Sequence, residues 1–372
     1  MGKTFIALSA LLGTIIGAGI FGLPYVIMKS GFLIGLLHLG LTAVIITIIM
    51  LYLGEIAQRT KTIHQLPGYA QKYLGTKGKT IMFIALIVGI YSALLAYLIA
   101  EGSSLSYIIF GNSSYSFQMG LLFWLALSFI SYYGIEALRK GEPIGVILVF
   151  ILVISISVYF TNKIDISNLS SLSLQNVFAP FGVVLFAYLG FSIIPEVKRI
   201  LGEHQKPMKK IIISAYLLAF LIYAVFTAIV LGFRGALTPE IATIALGKPF
   251  ILLGVITMFN AYLALSTAMM DTFKFDFNKS RKTAWIYTIA IPMILYGLLE
   301  VLGKASFTAV IGIGGVISGG ITAILILAMV KNAKKHGDSK PSYSMPYSKW
   351  LAYLLTAVFI IGAITEIINI AH

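Results

Sequence analysis

Apolar residues fill this chain in long unbroken stretches, and the polar positions gather in short segments between them. Eleven such stretches are read, at 5–29, 31–57, 80–109, 117–134, 143–160, 176–200, 210–233, 249–272, 284–302, 306–330 and 348–369. Most reach the length at which a helix rising about 1.5 Å per residue crosses a hydrocarbon layer of about 30 Å. Their apolar character runs around the whole helix rather than along one stripe or on alternate residues, which predicts helices whose outer faces meet lipid. The pattern predicts an all-α polytopic membrane protein with 11 transmembrane helices. No segment between them is long enough to separate domains, so 1–372 is read as a single unit.

The first stretch departs from this uniformity. Its run from Gly13 to Pro24 (GTIIGAGIFGLP) places Gly17, Gly19 and Gly22 at and just past the centre, with Pro24 behind them. Each glycine costs a helix interior roughly 1 kcal/mol relative to alanine, so a plain lipid-facing helix has no use for the cluster. A helix broken at the membrane midplane does, and its freed N–H and C=O groups must then face protein, a cavity or a ligand. The competing reading is close helix packing through small residues, the Gly13-xxx-Gly17 pair among them. The sixth stretch repeats the feature: Gly190 and Pro195 follow Gly19 and Pro24 by 171 residues, and Pro143 and Gly314 keep the same offset. An odd number of stretches, five, lies from one break to the other, so the two halves enter the membrane in opposite senses. This predicts one repeat over 1–160, an inverted one over 171–331, and an eleventh helix at 348–369 outside both. Interrupted helices at matching places of an inverted repeat mark the binding site of a secondary transporter.

Composition agrees: 59% of residues are hydrophobic and 11% charged, with a mean hydropathy of +0.97. The net charge of +14 could suggest nucleic acid, but its distribution argues against that. With the N-terminus inside, the inward segments hold Lys3, five basic residues from Arg59 to Lys79, Arg139 and Lys140, five from Lys198 to Lys210, four from Lys274 to Lys282 and five from Lys331 to Lys349. That is 22 of 27, leaving Lys29, Lys163, Arg234, Lys248 and Lys304 outside. This positive-inside bias predicts a plasma-membrane protein with a cytoplasmic N-terminus and an extracellular C-terminus. The basic loops would face anionic lipid headgroups. With no cysteine, only five histidines and neither His-Glu-x-x-His nor Gly-x-Ser-x-Gly, no enzymatic activity is expected.

The run Ile16-Gly-Ala-Gly-Ile-Phe-Gly-Leu-Pro24 resembles the first-helix signature of the amino acid/auxin permeases, within the amino acid–polyamine–organocation superfamily. Phe186-Ala-Tyr-Leu-Gly-Phe-Ser-Ile-Ile-Pro-Glu196 is similar to their sixth helix. The resemblance implies the LeuT-type five-plus-five inverted repeat with discontinuous helices 1 and 6, and cation-coupled symport of amino acids by alternating access. An amino-acid-binding membrane sensor without transport is the alternative. No motif specifies which amino acid is bound, or an oligomeric state.

At the first break the second half-helix is expected to begin near Ile20. The N–H groups of Gly17, Ala18 and Gly19 would then converge at its positive end, which suits a carboxylate. Carbonyls released by the first half, such as that of Ile16, suit an ammonium group. The resemblance assigns these positions to the α-carboxylate and part of the α-amino contact. At the second break Phe186, Ala187, Tyr188 and Gly190 would supply carbonyls and pocket side chains. Tyr97 and Glu101 share a face of the third helix, and an intramembrane carboxylate is a functional candidate as proton acceptor, gate element or partner of a cationic substrate. A structural hydrogen bond is the other reading of Glu101. Asn260, in the middle of the eighth stretch, could reach a cavity or bond a neighbouring helix. His38 reads as structurally satisfied. Glu55 with Arg59, and Glu196 with Lys198 and Arg199, read as interfacial charges or inner-gate pairs, and Glu300 and Glu366 as solvated caps. The glycine run from Gly312 to Gly320 would allow close packing beside a moving gate.

The resemblance also implies a sodium site between first-helix carbonyls and eighth-helix hydroxyls. By motif these are Gly13 and Ile16 with Ser266 and Thr267, an oxygen-only set that suits a hard cation. Some proton-coupled relatives put a fifth-helix lysine there, and 143–160 contains none. Sodium is therefore the expected coupling ion, with a proton carried by Glu101 as the alternative, and no other cofactor is expected.

Overall fold

Every regular element among the described residues, 2–133 and 142–371 of the computed structural model, is helical. Arg139 and Lys140, counted above with the inward charges, lie outside these residues. The chain begins with α1 (Lys3–Ile15), α2 (Gly19–Ser30), α3 (Phe32–Arg59), α4 (Leu66–Phe110), α5 (Ser116–Tyr133) and α6 (Glu142–Phe160). It continues through α7 (Phe181–Ala187), α8 (Ile194–Leu201), α9 (Met208–Arg234), α10 (Lys248–Asp276) and α11 (Arg281–Val301). Last come α12 (Phe307–Gly314), α13 (Gly320–His336) and α14 (Lys349–Ala371). Eight helical stretches among the described residues are long and apolar enough to cross a membrane, and the pair α1/α2, bent by 50°, makes a ninth. Two shorter apolar helices, Ser116–Tyr132 and Ile147–Lys163, fall just below that length.

The third stretch extends further back than its hydropathy suggests. Residues 66–74 form an amphipathic helical start, and the chain turns into the span at Gly75, whose φ of 74° suits glycine. The glycine run of the tenth stretch gives a π-helical turn, Gly315–Gly319, between α12 and α13. There Gly315 lies against the backbone of Gly182 and Phe186, and Gly314 against Ser92, so α7 and α4 both approach this helix where it has no side chains. The N-terminus of α12 is capped from the loop after α9. Glu240 accepts from Thr308 N at 3.2 Å, Thr308 Oγ1 at 2.6 Å and Phe307 N at 3.3 Å, and also from Ser306 Oγ.

Packing sorts the helices into two groups. One joins α1, α2, α3, α7, α8 and α9, with α9 against α1, α2 and α3. The other surrounds α4 with α5, α10 and α11, while α12 and α13 lie between the groups. Both helix breaks fall in the first group, and Tyr97 of α4 reaches the first of them.

At the end of the molecule where α3 finishes, the segment from Gly337 to Ser348 crosses as a strap. Glu55, fully buried, accepts from Arg59 Nε at 2.8 Å, Lys334 Nζ at 2.7 Å, Ser344 Oγ at 2.9 Å and Met345 N at 2.8 Å. Gln58 accepts from Ser342 N at 2.8 Å, and the Tyr343 hydroxyl, resting on Gly54, donates to Leu51 O at 2.8 Å. Asp338 pairs with Lys72 at 2.6 Å and receives the Lys61 N–H; these two donors hold its carboxyl down to about 2. Since that value is depressed, the anchor is complete above the ordinary carboxylate range and weakens only as pH falls toward about 2. The Glu55–Arg59 pair expected from spacing is present. Glu196 pairs with Arg199 at 2.6 Å, whereas Lys198 turns inward and donates to Thr60 O.

Candidate functional site: the two helix breaks

The first break is tighter than the spacing suggests. Helix α1 ends at Ile15, Ile16 leaves helical geometry at φ −82° and ψ 78°, and α2 restarts at Gly19, one residue before the expected Ile20. The Gly17 N–H is not free: it donates to Ile15 O at 2.9 Å. Of the three N–H groups expected to converge here, those of Ala18 and Gly19 remain. The hydroxyl of Tyr97, on α4, faces the Ala18 N–H and would lie 3.5 Å from a Cβ on Gly17. The i,i+4 pairing with Glu101 thus carries one member of that face to the break.

The second break is longer. Helix α7 stops at Ala187, Tyr188 and Leu189 turn back through N–H bonds to Phe186 O and its neighbour Leu185 O, and a 3-10 turn at Phe191–Ile193 leads into α8. Pro195 stands in the first turn of α8, where its missing N–H costs nothing. The breaks are packed crosswise. A Cβ on Gly19 would stand 2.6 Å from Ala187 Cα, and one on Gly190 would stand 3.0 Å from Ile15 Cγ1. The glycine of each break is the surface on which the other rests.

Sequence reasoning missed the groups that satisfy the freed carbonyls. The Tyr223 hydroxyl, on α9, lies 2.8 Å from Ile15 O and 2.7 Å from Ala187 O, and Tyr216 donates to Tyr188 O at 3.1 Å. Tyr223 carries one hydroxyl proton for two acceptors, so it ties both breaks to α9 and saturates only one carbonyl at a time. The ring of Tyr188 lies between Tyr216 and Tyr223, at centroid distances of 6.1 and 5.2 Å, and its own buried hydroxyl has no partner among the described residues. The seven-residue Tyr216/Tyr223 spacing on one face of α9 was the available signal. Tyr223→Phe should keep the ring packing and lower stability by about 1–3 kcal/mol, the cost of a buried acceptor left unpaired. Thermal unfolding of the purified protein measures this, and an unchanged midpoint would show that the carbonyls do not need the hydroxyl.

The other expected residues are placed less closely together. Glu101 is completely buried, and neither carboxyl oxygen has a hydrogen-bond partner among the described residues. Phe186 is half-buried beside Gly314 and Gly315. Asn260 is half-buried on α10. Ser266 and Thr267 donate to carbonyls of their own helix, Tyr262 O at 2.7 Å and Leu263 O at 2.9 Å. Gly13 lies in the last turn of α1, whose main neighbours are α6, α8 and α9 rather than α10. His38 is satisfied locally, with Nδ1 3.3 Å from Ile34 O. Glu300 is exposed as expected, but Glu366 is 7% exposed and is no solvated cap.

Two broken helices cross-packed at their glycines, within an all-helical apolar bundle, are the arrangement of the LeuT-type fold. The same fold is seen in the crystal structure of MhsT in complex with L-phenylalanine, with a TM-score of 0.66, 18% identity and 98% of each chain covered. Residues 1–243 match the tryptophan/tyrosine permease family, and the chain belongs to it, which sets it among permeases rather than enzymes. The tyrosine-specific transport system 2 of Haemophilus influenzae is 27% identical over 200 residues, 52% of this chain and 48% of that protein. The chain thus spans about half the length of the curated relative it matches.

Proposed function

We propose that this protein carries amino acids with an aromatic side chain across the membrane, coupled to a cation, by alternating access around the two breaks. The observation that carries this reading is the crossing of Gly19 with Ala187, which puts the Gly19 N–H, and the Ala18 N–H that the Tyr97 hydroxyl faces, next to carbonyls released by the second break. Donors for a carboxylate and acceptors for an ammonium so arranged fit a zwitterion. The aromatic preference draws on the family and on the tyrosine named for the relative. In this reading the chain makes 11 spans in a five-plus-five repeat with the N-terminus inside, and residues 16–24 keep their resemblance to the amino acid/auxin permeases. Counterflow in proteoliposomes tests the proposal: a carrier exchanges labelled tyrosine or tryptophan, whereas a sensor binds it without exchange.

Sodium is proposed as the coupling ion, held by the carbonyls of Gly13 and Ile16 and the hydroxyls of Ser266 and Thr267. Because each hydroxyl gives its proton to its own helix, its lone pairs stay available to a cation. Uptake should then depend on external sodium and fall when Ser266 and Thr267 are both replaced by alanine. The orphaned carboxyl of Glu101 favours a second reading, proton coupling, since an ionised carboxylate without a partner is strongly disfavoured in such a site. Full uptake in sodium-free buffer, driven by a pH gradient and lost in Glu101→Gln, would decide for the proton.

A further inference from the structure

The last helix lies outside the repeat, yet its one carboxyl is built into the helices that frame the second break. Glu366 of α14 enters a slot between two glycines. A Cβ on Gly182 of α7 would stand 2.6 Å from the carboxyl carbon, and one on Gly312 of α12 would overlap Oε1. The Gly182 N–H faces the carboxyl, while Oε2 has no partner among the described residues. One turn earlier on the same face of α14, Gly362 receives the ring of Phe181, the residue beside Gly182. The joint is reciprocal: a glycine of α14 takes a side chain of α7, and a glycine of α7 takes a side chain of α14.

Little in the surroundings compensates a charge. Helix α14 packs against α7, α12, the π-turn and α13. Neither α7, α12 nor the π-turn contains a titratable residue, and the basic residues of α13, Lys331, Lys334, Lys335 and His336, stand at its opposite end. On α14 itself, Lys349 and Tyr353 lie at the far end. Lys29, at the end of α2, is the one charged group acting on Glu366 among the described residues, and it sits over the Tyr25 ring at 4.5 Å. A neutral carboxyl fits such a slot; an ionised one would have a single N–H and no cation in contact.

We propose that Glu366 is a proton-operated latch, with α14 docked between α7 and α12 while the carboxyl holds a proton and released when that proton passes to water. The reaction is a simple ionisation, carboxylic acid to carboxylate plus a hydrated proton, and docking and protonation are linked through it. Released, α14 no longer clamps α7, the half-helix that ends in the second break. The latch is independent of which solute is carried.

The chain has no native cysteine, so one cysteine at the half-buried Ala363 of α14 reports undocking by its rate of reaction with a thiol reagent in the purified protein. Rates are divided by those of the same cysteine in Glu366→Gln at the same pH, which cancels the titration of the thiol. The ratio should climb as pH rises, approaching tenfold per unit over part of the titration, as one linked proton requires. Gly312→Ala adds a Cβ that displaces the carboxyl and changes no titratable group, so its ratio should already be high at low pH. A ratio that stays flat with pH overturns the latch and leaves Glu366 a fixed plug. So does a Gly312→Ala ratio as low as that of the parent, because a displaced carboxyl would then not release the helix.

Discussion

Alanine at Gly19 should separate the two helix breaks and abolish substrate binding, and valine should do so more severely. Such a loss would also follow if a side chain at Gly19 merely blocked a bound carboxylate. The structure assigns it to a collision: the new Cβ would stand 2.6 Å from Ala187 Cα and 2.7 Å from its Cβ. Backbone cannot swing aside as the tip of a side chain can, so α2 and α7 must move apart. Overpacking of this kind costs about 1–3 kcal/mol, and valine should reach or exceed the upper figure. The displacement also shifts Ala18 and Gly19 relative to the Ala187 carbonyl, so binding should fail even in protein that still folds. Binding of labelled tyrosine or tryptophan, measured with the thermal midpoint, tests this. Gly19→Val with unchanged affinity and midpoint would remove the crossing from the site.

Replacing Glu55 by alanine should release the strap and cost about 3–5 kcal/mol, the range found when one partner of a buried ion pair is removed. Four donors converge on this carboxylate from three places in the chain: Arg59 on its own helix, Lys334 at the end of α13, and Ser344 with Met345 in the strap. Without it the Met345 N–H loses its acceptor. Lys334 keeps Ser344 Oγ at 2.9 Å and Met345 O at 2.7 Å, and both cations retain an edge in water, which favours the lower part of the range. Faster proteolysis at Lys340 and a lowered thermal midpoint are the expected readouts, with Glu55→Gln intermediate. A strap that stays resistant in Glu55→Ala would show that Tyr343, Asp338 and Gln58 hold it unaided.

What was legible in the chain was whatever a local run of residues expresses. Hydrocarbon favours helix for long apolar stretches, and the glycine and proline clusters at 17–24 and 190–195 pointed to places where those helices stop, with close packing as the competing reading. The i,i+4 spacing of Glu55 and Arg59 foretold their pair, because one helix carries both. The glycines of the tenth stretch foretold close packing, although only the structure shows a π-turn there.

Other features depend on partners far apart in sequence. The breaks needed acceptors and donors, but that Tyr216 and Tyr223 supply them follows from how α9 lies across both, 28 to 208 residues from the carbonyls concerned. The polar segment from Gly337 to Ser348 reads as an ordinary loop until it is seen to bond Leu51, Glu55 and Gln58. Glu366, near the end of an apolar helix, has the sequence of a solvated cap; two glycines from other helices turn that position into a closed slot. Sequence by itself determined that the chain enters the membrane as helices and where two of them break, because those outcomes follow from the transfer of local groups out of water. Tertiary structure alone decided which freed or charged groups find partners, because hydrogen bonding and desolvation of a buried group depend on atoms the local sequence does not contain.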